Sequence, residues 1–151
     1  MILEAHGVRL ELPRGWSGRV FRGGRETATV HLANFALPLH EASSFGETTT
    51  SAMSPGTMFG ALTEYLPGPG LSPGAGLFAS ARLPLPLDPT SFSPDRLARP
   101  RRGQLGMQHF FTASGRPFCL YVVIAGSRAG RRRQLVELGH VLATVRIAAR
   151  R

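Results

Sequence analysis

Cys119, the only cysteine, and His109 are the two side chains of this sequence that could pair as nucleophile and base. Such a dyad needs the thiol within hydrogen-bond reach of the imidazole. Both residues lie in a predicted hairpin, Leu105 to Ala113 and Arg116 to Ala125, closed by the two-residue loop Ser114-Gly115. That loop sets Phe110 opposite Cys119 and His109 opposite Leu120. Successive strand residues point to opposite faces, so Cys119 and His109 project away from each other. The thiol reads as a buried structural group. The five histidines, His6, His31, His40, His109 and His140, show no zinc-type spacing, and no second cysteine assists them. Nine acids without a close pair do not support carboxylate-pair hydrolysis. Gly68-Pro69-Gly70 lacks the strand-to-helix setting and the Lys-Ser/Thr of a phosphate loop. No catalytic, metal or cofactor residue is assigned, and no cofactor is expected.

One run stands out for its charge: Gly126-Ser127-Arg128-Ala129-Gly130-Arg131-Arg132-Arg133, immediately before the last predicted helix. A helix N-terminus already carries unsatisfied N–H groups and partial positive charge, so arginines there oppose the dipole. Arg128, Arg131, Arg132 and Arg133 are therefore the candidate site for an anion or an acidic partner. The bland alternative is a mobile loop, a helix that starts later, and charge that is merely solvated. Two further groups, Arg9, Arg14, Arg19, Arg22 and Arg25, and Arg96, Arg99, Arg101 and Arg102, would extend a basic surface if they converge. Aromatic residues do not alternate with these arginines as a base-stacking platform requires, and no helix-turn-helix or RNA-binding strand motif is present. Nucleic-acid binding would then be limited to the backbone, nonspecific and steeply salt-dependent.

The elements that must carry these residues follow from periodicity and punctuation. Val8, Leu10 and Leu12 alternate with Arg9 and Glu11 as a half-buried strand ending at Pro13-Arg14-Gly15. Trp16 to Phe21, closed by Gly23-Gly24, and Thr27 to Phe35 continue an antiparallel start to a sheet. Pro38 to Ser54 reads as a loop. Ser54-Pro55 resembles a cap and first helical proline, with Met58, Phe59, Leu62 and Leu66 at helical spacing, which predicts a helix through Leu66.

The stretch from Pro67 to Pro100 holds eight of the twelve prolines and is the least regular part, with one more strand expected over Leu77 to Leu83 and a single helical turn at Ser93-Pro94-Asp95. Its Leu83-Pro84-Leu85-Pro86-Leu87-Asp88-Pro89 run would serve either as a polyproline ligand or, as preferred here, as a cover over a sheet face. The predicted hairpin is apolar on both faces: Phe111, Phe118, Leu120, Val122 and Ile124 on one, Phe110, Cys119, Tyr121 and Val123 on the other. Both faces need covering, the second by the Pro-rich segment or by a homodimer partner. In the last helix Leu135, Leu138 and Leu142 form one stripe with Glu137 and His140 opposite. Gly139 would let that helix approach the sheet closely, and Thr144 to Ile147 resumes extended structure.

A chain of 151 residues, 42% hydrophobic, fits one domain. The expected fold is α+β: a central antiparallel sheet of about six to seven strands, two main helices and a Pro-rich cover. All eighteen basic residues are arginine, and the net charge of +9 favours polyanionic partners. No apolar run is long enough to span a membrane, and no signal-peptide pattern opens the sequence. A lone cysteine fits a reducing compartment, so a cytoplasmic location is expected.

Leu10-Glu11-Leu12-Pro13-Arg14-Gly15-Trp16, an alternating strand followed by Pro-x-Gly-Trp, resembles the opening of PsbP-like domains. Val136 to Ile147, a helix running into a short closing strand, is similar to their C-terminus. The resemblance covers about twenty residues at the two ends, and the Pro-rich middle departs from it. It implies a sheet between helical layers and an accessory or scaffold role, with no catalytic residues to carry over. The expected function is a non-enzymatic interaction or assembly module, docking an acidic protein or a second copy of itself. The alternatives are weak nucleic-acid backbone binding through the arginine loop, and a small hydrophobic-ligand carrier or enzyme.

Overall fold

The computed structural model describes residues 1–22, 27–41 and 43–150. Gly23-Gly24 and Arg25, read above as a turn and part of a basic group, lie outside them. Among the described residues, two α-helices and two antiparallel sheets make up an α+β fold. The smaller sheet has the order β1-β2-β8, with β1 Ile2–Ala5, β2 Val8–Glu11 and β8 Arg146–Ile147. The larger has the order β3-β4-β5-β7-β6, with β3 Ser17–Arg22, β4 Ala28–Ala33, β5 Met58–Glu64, β6 Gln104–Ala113 and β7 Arg116–Ala125. The helices are α1 Glu47–Ser51 and α2 Arg131–Leu142.

The single sheet of six to seven strands is thus replaced by five strands and three. The reason lies in β2. A tight turn at His6-Gly7, both at positive φ, pairs β1 along one edge, and β8 pairs along the other. With both edges of β2 occupied, β3 cannot continue its ladder and starts the second sheet instead. The two sheets cross closely there, because a Cβ on Gly18 of β3 would lie 2.5 Å from Leu12 Cδ1.

The helix expected up to Leu66 is a strand. β5 runs through the middle of the larger sheet and is buried along its whole length. A strand covered on both faces is a continuous apolar run, which helical spacing matches by accident. Ser54 does not cap a helix; its carbonyl accepts from Thr57 N at 3.1 Å in a turn containing Gly56 at φ 90°. Gly60 sits under Leu32, where a Cβ would come within 3.2 Å of Leu32 Cδ1. Conversely, the expected loop over 38–54 contains α1. Its amides are held by the Glu41 carboxylate, which accepts from Thr48 N at 3.1 Å and Thr49 N at 2.7 Å.

The β6–β7 hairpin has the expected register: Leu105 opposes Ile124, His109 opposes Leu120 and Phe110 opposes Cys119. Ser114 and Gly115 form its turn at φ 52° and 74°, the pair of positive values a two-residue hairpin needs. Phe118, Leu120, Val122 and Ile124 join β2, α2 and the Pro-rich segment's Leu87 and Phe92 in the main core. Cys119 lies on the other face, where Tyr121 and Val123 pack with Phe59, Ala61, Leu97 and the partly buried Phe35, Leu37 and Phe45. Tyr121 is fastened by Ala98 N, which donates to its hydroxyl at 2.9 Å. The face that called for a cover or a partner is therefore covered by the chain itself, mostly by the 35–53 segment.

The Pro-rich leucines Leu83, Leu85 and Leu87 do form a cover, but on the main core and not on the Cys119 face expected for them. No strand forms over Leu77 to Leu83; a 3-10 turn, Gly76–Phe78, drops Phe78 fully buried against Tyr65 and Phe110. The expected turn at Pro94–Arg96 forms, with the Ser93 hydroxyl accepting from Asp95 N at 3.1 Å.

A buried ion cluster ties the two sheets together. Arg116 of β7 donates through Nε to Glu64 Oε2 at 2.8 Å and through its terminal nitrogens to the carbonyls of His6 (3.0 Å) and Ala148 (2.9 Å). Arg150 adds a bond to Glu64 Oε2 at 2.7 Å, and Ala28 N donates to Glu64 Oε1 at 2.9 Å. Gly7 is needed for this approach, since a Cβ there would sit 2.6 Å from an Arg116 nitrogen.

Candidate functional site

The arginine run folds as one 3-10 turn, Arg128–Gly130, that passes directly into α2 at Arg131. The helix does not start later. Its first turn is pinned from below by Gln134, whose buried amide donates to the carbonyl of Ala125 at 2.9 Å. Gly130 stands at the N-cap, no side chain caps the amides, and no acid occupies the first turn. Arg128, Arg132 and Arg133 are exposed and Arg131 is half-buried. Among the described residues none of the four forms an ion pair.

Many other arginines are engaged within the chain. Arg9 pairs with Glu4 and Glu11, Arg19 donates to the Pro38 carbonyl at 2.7 Å, and Arg99 meets Glu47 at 2.6 Å. Arg22 Nε donates to His6 Nδ1 at 3.1 Å, and Arg146 donates to the carbonyls of Ala143 and Val145. The groups expected to extend the basic surface are thus partly occupied with the fold itself, whereas the run at α2 is not.

Cys119 opposes Phe110 and His109 opposes Leu120, so the thiol and the imidazole project to opposite faces of the hairpin. Burial pushes the Cys119 thiol up to about 11, which opposes thiolate formation. His109 Nε2 lies 3.0 Å from the Arg82 carbonyl, and its ring stacks on Phe111. His31 is buried between Phe21 and Phe59, its Nε2 2.8 Å from the Ser44 carbonyl. Burial lowers its pKa, so it is held neutral. Among the described residues no three His, Cys, Asp or Glu side chains come together as a metal would require.

Glu64 is the acid whose role the linear pattern does not reveal. Burial alone would raise its pKa, but the bonds from Arg116, Ala28 N and Arg150 outweigh that and keep it below the usual carboxylate range. Every one of its partners belongs to the fold, so it holds structure rather than substrate.

A groove of about 690 Å³ runs between α2 and the Pro-rich cover. One wall is Arg132, Leu135, Val136, Gly139, His140 and Ala143, and the other is Leu85, Pro86, Leu87 and Pro89. Gly139 therefore does not bring α2 onto the sheet: a Cβ there would meet nothing within 4 Å, and the residue opens into the groove. Val136 is 53% exposed there. The linear signal for this groove is Arg132, Val136, Gly139 and Ala143 at helical spacing, off the buried leucine stripe. Arg132 is the residue that links the basic run to the groove.

Searches of protein-family models, curated proteins and solved structures return no match to this chain. No helix among the described residues is long and apolar enough to cross a membrane.

Proposed function

We propose that the protein is a non-enzymatic interaction module that docks an acidic protein surface on the N-terminal end of α2. The observation that carries this reading is the unneutralised run Arg128, Arg131, Arg132 and Arg133 on an uncapped helix start. Several cations on one rigid turn raise the local potential and fit carboxylates in forked geometry, so acidic side chains would be held there by charge-assisted bonds. The accessory role implied by the resemblance to PsbP-like domains points the same way. An enzymatic reading has less support, since Cys119, His31 and Glu64 are all committed to the interior.

The test is binding of a labelled oligoglutamate peptide across a salt series. Binding should weaken steeply as salt rises. Reversal of Arg131, Arg132 and Arg133 to Glu should abolish it without lowering the melting temperature, since acids suit a helix start, while the same reversal at the exposed Arg14, Arg96 and Arg102 should leave most of it. Equal losses in the two variants would reduce the effect to net charge. Tighter binding of labelled duplex DNA or RNA by the same arginines would replace the acidic protein with a nucleic-acid backbone.

A further inference from the structure

We infer that the groove between α2 and the 85–89 segment binds an unbranched alkyl monocarboxylate, its carboxylate on Arg132 and its chain along Val136, Gly139 and Ala143. Shape narrows the occupant first. From Arg132 to Ala143 the helix rises about 16 Å, so a groove of 690 Å³ has a mean cross-section of about 40 Å². A helix with its side chains is about 10–12 Å across and is too thick to enter. A single extended chain fits.

Chemistry then separates an alkyl chain from an extended peptide. Each peptide residue brings a donor and an acceptor that must be satisfied when desolvated. One wall is the side of α2, whose backbone groups are consumed by its own hydrogen bonds. The other wall contains Pro86 and Pro89, which have no N–H to offer. Leu85 N is already bonded to the Leu83 carbonyl at 2.9 Å, so among these wall residues Leu87 alone could donate, too little for a ladder, and an alkyl chain demands none.

Charge fixes the polarity. Arg132 stands in the first turn of α2, where the helix dipole is also positive, and no described carboxylate pairs with it. The Ala143 end is the helix C-terminus, where the dipole disfavours an anion. A carboxylate at Arg132 with the chain running toward Ala143 satisfies both ends and covers the exposed Val136. The inference shares Arg132 with the acidic-partner reading but does not rest on it.

Titration calorimetry with dodecanoate, kept below its micelle concentration, tests this. One saturable equivalent is expected, with no detectable binding of butyrate and at least tenfold weaker binding of dodecyltrimethylammonium. Gly139→Leu fills the groove from a position with open space and should abolish binding without lowering the melting temperature. Arg132→Gln should weaken dodecanoate at least tenfold and leave dodecyltrimethylammonium no weaker. The combined change of Arg128, Arg131 and Arg133 to Gln should leave dodecanoate in place while weakening oligoglutamate, which separates the two readings. Uptake of several equivalents without saturation, or full affinity in Gly139→Leu, overturns the inference. So does loss of oligoglutamate binding in Gly139→Leu when dodecanoate never binds, since the groove would then belong to the protein partner.

Discussion

Arg116 is the residue whose removal should cost most. Its guanidinium is buried with the Glu64 carboxylate, which is fully shielded from solvent, and it also bonds the backbone of His6 and Ala148. Arg116→Ala leaves a buried carboxylate short of its main partner and two carbonyls without donors. A loss of about 3–5 kcal/mol is expected in urea unfolding, the range for breaking one side of a buried pair. Arg150 touches the same carboxylate but is 40% exposed. Solvent screens it, so Arg150→Ala should cost less than about 1 kcal/mol. Equal effects of the two substitutions would show that the cluster is held by the tail rather than by Arg116. Nothing in the linear sequence announces this pairing, because Glu64 and Arg116 are 52 residues apart and meet only through the β5–β7 ladder.

At the scale of elements, Gly139 offers a gain instead of a loss. It lies inside α2 at ordinary helical geometry with nothing within 4 Å of an added Cβ. Gly139→Ala should therefore stabilise by about 0.5–1 kcal/mol, read as a higher melting temperature. The hairpin turn behaves oppositely: Gly115 sits at φ 74°, so Gly115→Ala should destabilise although the space is open. These two elements were legible, as were the alternating strands β2, β3 and β4. The turn pair Ser114-Gly115 carried the register of twenty strand residues, and the leucine stripe carried the buried face of α2. β5 was not legible, because burial on both faces erases the alternation that marks a strand. The split into two sheets was not legible either. It depends on β8 reaching β2 from the far end of the chain, a contact with no local signature. The arginine run was visible at once, but the groove beside it required knowing which side of α2 the Pro-rich cover occupies.

At the scale of the whole molecule, the titrating groups and the charged surface divide the pH range between them. His31 is held neutral by burial, its pKa below the ordinary 6.5. The unfolded chain binds that proton more readily, so stability is full above about pH 6.5 and declines as pH falls toward the folded value. Glu41, bonded by the α1 amides, and Glu64 are both held below 4.5, and their contribution is lost as pH falls further through their folded values. At the alkaline end, burial raises the Cys119 thiol from 9.0 to about 11 and the Tyr65 hydroxyl from 10.0 to about 12. Both groups ionise more easily once unfolded, so stability is full below pH 9 and falls above it, by on the order of 2 kcal/mol for Cys119 at its folded value. Melting temperature against pH should thus form a plateau between about pH 6.5 and 9, with the His31→Gln protein lacking the first decline on the acid side. Arginines stay charged across this whole span. Acidic-partner binding should accordingly hold level over the plateau and fail only where the partner's own carboxylates take up protons. A binding curve that changed within the plateau instead would take the docking role away from the arginines.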